Sequence, residues 1–222
     1  MTLAPPAASA PSGPAEPAVD SPSPLLLPPD LRLTPEQFEL VCQANPEAVL
    51  ELTADGQLIA MTPTGGDTGA RNSLLITRLQ IWALGQGTWK VFDSSSGFRL
   101  SDGSVLSPDA SLVRQERWQA LSPEQRRGFP PLCPDLVVEL VSPSDEGPRG
   151  SEALRRKMAA YRANGAQLGW LLIPERRAVE IWQAGPEGQA PEPPQRLEQA
   201  TRLEGGALLP GLVLELQELW EV

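Results

Sequence analysis

One strand–helix–strand run constrains the fold of this chain more than any other feature. Residues 135–141, DLVVELV, have the length and apolar content of a buried strand. SEALRRKMAAYRAN follows as a helix, with Ser151 as N-cap and Gly165 just past its end. LGWLLI, residues 168–173, is then a second apolar strand. Two such strands joined by a helix call for a sheet covered by that helix. The first strand holds an anomaly. Side chains alternate between faces along a strand, so Asp135, Val137, Glu139 and Val141 share one face and Leu136, Val138 and Leu140 the other. Glu139 therefore points the same way as two valines. Burying a lone carboxylate is costly, so this position needs a partner or a purpose. The plain alternatives are a structural ion pair or a strand face left half open.

The rest of the chain supplies hairpins and helices around that unit. Residues 1–29 are dominated by Ala, Pro and Ser and read as a disordered tail; order is expected over 30–222. Thr34, Pro35 and Gln37 form a capping-box pattern ahead of an apolar stripe of Phe38, Val41 and Cys42. AVLELTADGQLIAMTP reads as a hairpin turning at Asp55-Gly56. The Gly-rich segment 62–72 reads as a loop leading into a helix with Leu75, Leu79 and Trp82 inward. Another pair of strands flanks a turn at Ser101-Asp102-Gly103, and 114–128 is helical or irregular. A second hairpin turns over Pro174–Arg177, and a short strand or turn around 208–216 closes the chain. The expected fold class is α/β or α+β, a mixed sheet flanked by helices in a single domain.

The chain contains no histidine, which excludes a Ser-His or Cys-His nucleophile pair, an imidazole base and every His-containing metal site. Cys42 and Cys133 lie far apart with no CxxC spacing, which argues against a disulfide framework or a zinc site. No apolar run reaches membrane-spanning length, and the first residues lack a secretory pattern, so a reducing cytoplasm is expected. A net charge of −10 disfavours non-specific adhesion to nucleic acid or anionic membrane. It leaves nucleic-acid chemistry open where a metal held by carboxylates reverses the local field.

Two further residues stand out. In SPDASLV, Asp109 shares a strand face with Ser111 and Val113, although Pro-Asp is also common at a simple strand start. On the helix, Leu154, Lys157, Met158 and Tyr161 fall at i, i+3, i+4 and i+7, which sets Lys157 inside the apolar stripe. Snorkelling to the rim is the mild alternative. Together Asp109, Glu139 and Lys157 make a coherent set. Two carboxylates on neighbouring strands suit a hard cation such as Mg²⁺ or Mn²⁺, and a nearby ammonium can orient water or stabilise phosphoryl charge.

SPDASLV, PDLVVELVSPSD, the pairing of Lys157 with Tyr161, and NGAQLGWLL resemble the Uma2 family. MTPTGGDTG, VFDSSSGFRL and LLPGLVLEL extend the likeness over nearly all of residues 31–222. That family is similar to the PD-(D/E)XK nucleases. The resemblance implies that Asp109 and Glu139 are the two motif carboxylates and bind the metal. The usual lysine two residues after the second carboxylate is absent, since Val141 stands there, and its role passes to Lys157. Asn72 stands where many relatives carry histidine and Asp67 where glutamate is frequent; a Gly-rich turn is the simpler reading of Asp67. Asp135 reads as a rim residue, Ser142 and Ser144 as turn formers, and Tyr161 as core.

The resemblance thus implies a Mg²⁺- or Mn²⁺-dependent endonuclease acting on DNA, with a homodimer suggested by analogy with enzymes that cut both strands. Arg149, Arg155 and Arg156 near the site favour that reading. The overall negative charge favours an alternative, a nuclease-fold binding or assembly module that no longer cleaves. Plain core pairing of Glu139 with Lys157 in a structural protein is the third reading.

Overall fold

The computed structural model describes residues 28, 30–145, 148–185 and 192–222. The expected disordered tail, residues 1–29, lies outside these residues except at Pro28. Helix α1 (Pro35–Ala44) starts with the capping box, Gln37 N–H donating to the Thr34 hydroxyl and Thr34 N–H to the Gln37 side chain. Strands β1 (Val49–Leu52) and β2 (Leu58–Met61) form the expected hairpin. Gly56 takes φ +82° at its turn, and a Cβ there would lie 2.7 Å from the Leu33 carbonyl oxygen.

Helix α2 (Gly66–Gln86) begins four residues into the segment expected to be a loop. Its glycines therefore open a helix rather than a turn, and Asp67 sits in the first turn, where a negative charge suits the helix dipole. Strands β3 (Trp89–Asp93), β4 (Phe98–Arg99), β5 (Val105–Leu106) and β6 (Ala110–Arg114) follow. Next come short helices α3 (Gln115–Gln119) and α4 (Pro123–Arg127), then β7 (Leu136–Leu140). Helix α5 (Pro148–Ala163) starts one turn earlier than the sequence suggests, so Ser151 lies inside it rather than capping it. The chain ends with β8 (Leu168–Ile173), β9 (Ala178–Gln183), β10 (Gln195–Leu197), β11 (Arg202–Glu204), β12 (Val213–Glu215) and α6 (Gln217–Trp220).

The strands make a mixed six-stranded sheet in the order β10-β9-β8-β7-β6-β3, in which β7 and β8 run parallel and all other neighbours antiparallel. A four-stranded sheet, β2-β1-β5-β4, and the β11-β12 pair complete it. The parallel pair brackets α5, as the apolar–helical–apolar run requires. One face of the large sheet, with Leu112, Leu136, Val138 and Trp170, packs on Leu75, Leu79 and Ala83 of α2 and on the C-terminal segment. The other face, with Val113, Val137, Val141 and Leu171, packs on Met158 and Tyr161 of α5 and on Phe98 and Leu106 of the small sheet. A third apolar cluster joins Phe38 of α1 to Leu50, Leu52 and Val105. Gly169 lets α5 come close, since a Cβ there would meet the Met158 methyl at 2.5 Å. No helix among the described residues is long and apolar enough to cross a membrane.

Asp135 is not at the rim; its exposure is 0%. Its side chain accepts the Arg114 N–H at 2.9 Å and the Gln167 amide at 3.1 Å, and pairs with Arg117 at 2.8 Å. It therefore ties the end of β6 to the segment entering β8. Asp135→Ala leaves these donors unmatched in a dry setting and is expected to lower unfolding stability by roughly 2–3 kcal/mol. Urea denaturation measures it, and a loss under about 0.5 kcal/mol contradicts the structural role given to Asp135.

Candidate functional site

Strands β6 and β7 pair with Ala110 opposite Val138, so one step further along the register Asp109 lies opposite Glu139. Opposed residues share a face, and here that face is the one beneath α5. Asp109 is half-buried, and its Oδ2 accepts the Leu140 N–H at 2.7 Å. Glu139 is 3% exposed. Its Oε1 lies 2.9 Å from Lys157 Nζ and accepts the Tyr161 hydroxyl at 3.2 Å.

Lys157 descends from α5 within the stripe formed by Leu154, Met158 and Tyr161. Its Nζ also lies 2.8 Å from Glu51 Oε1 and donates to the Ser107 carbonyl at 2.9 Å. An ammonium has three donors, and all three are engaged. Glu51, which receives the Ser107 N–H at 2.8 Å as well, belongs to β1 and is 3% exposed. It carries only a faint signal in the sequence. It is a carboxylate between Leu50 and Leu52, the same anomaly as Glu139, but in a strand too short to separate a buried face from a wet one.

Two carboxylates thus pair with one ammonium, and Asp109, opposite Glu139 in register, is a third acid that feels its charge. Each has one oxygen engaged, while Glu51 Oε2, Glu139 Oε2 and Asp109 Oδ1 accept no hydrogen bond from the described residues. Burial pushes Glu139 up to about 8, Asp109 and Glu51 adding to the rise and Lys157 opposing it. Burial likewise raises Asp109, against the Leu140 N–H and the Lys157 charge, with Glu51 and Asp145 adding to the rise. For Lys157 burial works against the charge, but Glu139 and Glu51 outweigh it and hold the ammonium above its usual range. Tyr161, expected to be core, is fully buried and reaches the site as well; burial and the Glu139 charge keep its hydroxyl protonated.

Other residues singled out from sequence fall elsewhere. Arg155 pairs with Glu180 at 2.6 Å through Nη2 and is not free for phosphate. Arg156 is exposed beside Glu152, and the Arg149 side chain lies outside the described residues. Ser142 donates from N–H (3.1 Å) and Oγ (2.5 Å) to Asp145, closing the expected turn after β7; the Ser144 side chain is outside the description. Asp67 is exposed on α2, and Asn72 Oδ1 is buried there without a hydrogen-bond partner among the described residues.

No group of three or more His, Cys, Asp or Glu side chains among the described residues is arranged to hold a metal ion. Mg²⁺ commonly needs only one or two protein carboxylates and keeps several waters. The oxygen-only donors, each with an uncommitted oxygen, fit such a hard cation. They do not fit a metal that prefers nitrogen or sulfur.

The raised pKa has a consequence for stability. Glu139 holds its proton more tightly folded than unfolded. That contribution is complete below the ordinary carboxylate pKa of 4.5 and is lost as pH rises through about 8. Urea melts of the wild type are expected to show declining stability across that window, and Glu139→Gln a shallower decline. Parallel pH profiles for the two proteins contradict this.

Comparison with known proteins bears on the fold and the family. None of the curated proteins matches the chain. A solved structure described as a putative nuclease belonging to DUF820, from Anabaena variabilis, aligns with a TM-score of 0.66 at 18% identity, covering 85% of this chain and 98% of that one. At that identity the likeness speaks to the fold, a mixed sheet flanked by helices. The model of the family Uma2, described as "Putative restriction endonuclease", matches residues 35–217. With the match spanning most of its length, the chain belongs to the Uma2 family.

Proposed function

We propose that the chain is a divalent-metal-dependent endonuclease of the PD-(D/E)XK kind that hydrolyses phosphodiester bonds of DNA. The observation that carries this reading is the pairing of Glu51 and Glu139 with one ammonium, with Asp109 opposite Glu139 in register and an uncommitted oxygen on each acid. A structural ion pair needs one carboxylate per cation. Like charges about 4 Å apart cost on the order of 4 kcal/mol per pair near a protein surface, so the surplus acids call for a proton or a second cation. Family membership supports nuclease chemistry on nucleic acid.

In this reading Asp109 and Glu139 hold Mg²⁺ or Mn²⁺. What the cation supplies is a lowered pKa for water and polarisation of a phosphoryl oxygen. Lys157 fixes Glu139 and Glu51, and by giving up one of its three bonds it orients the attacking water or meets phosphoryl charge. Tyr161 holds the Glu139 carboxylate in place through Oε1. The same reading takes the protein to act in the cytoplasm and, for cutting both strands, as a homodimer.

A second reading is favoured by the saturated Lys157 donors and the net charge of −10: a nuclease-fold binding or assembly module that does not cleave. Incubation of supercoiled plasmid with Mg²⁺ or Mn²⁺ separates the two. Nicked or linear product is expected from the wild type, reduced at least about 10²-fold in Asp109→Asn, Glu139→Gln and Lys157→Ala. No cleavage with either metal supports the binding module, and cleavage untouched by all three substitutions rejects the site.

A further inference from the structure

On the α5 face of the large sheet, next to the acid–lysine cluster, lies an open pocket of about 510 Å³ that the proposed chemistry does not use. Its walls are aromatic. Phe92 of β3 and Trp118 of α3 lie with ring centroids 4.9 Å apart, and Phe129, whose ring lies against Gly97, is a third aromatic of the lining. All three rings are half-buried, so each offers part of its surface to whatever enters. Arg126 and Arg127 of α4 stand in its lining together with Glu39, and both arginines are exposed. Arg126 donates to the Gln119 carbonyl at 2.7 Å and Arg127 pairs with Glu124 at 3.1 Å, solvent-screened contacts that, unlike the pairing of Arg155 with the buried Glu180, a phosphate can displace. Although the chain is acidic overall, residues 114–127 carry four arginines against two glutamates.

The pocket borders a segment that reaches the site. Gly97 lies against Ser107, whose Oγ would be 3.3 Å from a Cβ at position 97. The carbonyl of that same Ser107 receives Lys157 Nζ. Two residues further on stands Asp109. The Gly97–Ser107 contact therefore links the pocket wall to the charged cluster.

Half-exposed aromatic rings offer π-faces to any base, and adjacent guanidinium groups offer charge to the phosphate beside it. We infer that this pocket takes an unstacked base of a single-stranded nucleic acid, its neighbouring phosphate held at Arg126 and Arg127. The bound strand then runs past Ser107 toward Asp109 and Glu139. A base still paired in a duplex cannot enter, so the pocket favours single strands or frayed ends. This deepens the nuclease reading by naming its substrate class, and it rests on that reading for the direction of the strand.

The test is fluorescence anisotropy of a fluorescein-labelled single-stranded oligodeoxynucleotide with the full chain in EDTA, so that no cleavage intervenes. The strand is expected to bind more tightly than its own duplex and than a free deoxymononucleotide. Trp118→Ala should weaken binding by about tenfold. Arg127→Glu, at an exposed position that leaves the fold intact, should weaken it and flatten its salt dependence. The inference is overturned by a duplex or mononucleotide binding as well as the strand, by no binding at all, or by both variants binding like wild type. Plasmid cleavage is scored separately. Selective binding without cleavage retains the pocket and removes the nuclease reading, whereas cleavage with unselective binding does the reverse.

Discussion

The buried ammonium of Lys157 is the contact on which the layout of this protein turns. It joins three parts of the chain distant in sequence: Glu51 on β1, the Ser107 carbonyl before β6, and Glu139 on β7. Helix α5 brings the charge there while Met158 and Tyr161, on the same stripe, pack on the sheet. Removing any of these supports leaves a charge in a dry place without its partner, a more severe loss than removing the whole set. The small sheet, the large sheet and the crossover helix are in this sense fixed to one another by a polar contact within an apolar packing.

A second ion cluster on the same face shows what a purely structural arrangement looks like. Glu180 on β9 is 3% exposed and takes Arg155 at 2.6 Å and Arg196 at 2.9 Å. One carboxylate there meets two guanidinium groups, and its charge is more than matched. Around Lys157 the balance is reversed, with carboxylates in surplus and burial pushing Glu139 up to about 8. The two clusters are neighbours in register, since Leu171 lies between Glu139 and Glu180 across β7, β8 and β9. Equal burial with opposite balance separates a fastening from the site proposed to take up a cation.

Much of this was legible in the residues. The strand–helix–strand unit followed from apolar runs and a helical stripe. Lys157 and Glu139 each broke an otherwise apolar pattern on the faces that the structure packs together. Other features were hidden for identifiable reasons. Glu51 was not singled out because a four-residue strand carries too few alternations to fix its faces, and its burial comes from long-range packing against Ser107 and Lys157. The glycines at 65, 66 and 69 suggested a loop, yet α2 starts at Gly66 because downstream packing of Leu75 and Leu79 outweighs the cost of glycine in its first turn. Asp135 resembled a rim residue by its place at a strand start; only the fold shows Arg117 and Gln167 converging on it.

The central claim is that Asp109, Glu139 and the lysine between the sheets form one cation-accepting centre. Its most direct test is calorimetric titration of Mn²⁺ into the wild type, Asp109→Asn and Glu139→Gln in the presence of a phosphorothioate oligonucleotide that resists cleavage. The expected result is saturable binding to the wild type that both substitutions abolish or greatly weaken. Binding of Mn²⁺ to Glu139→Gln with the affinity of the wild type would contradict the account.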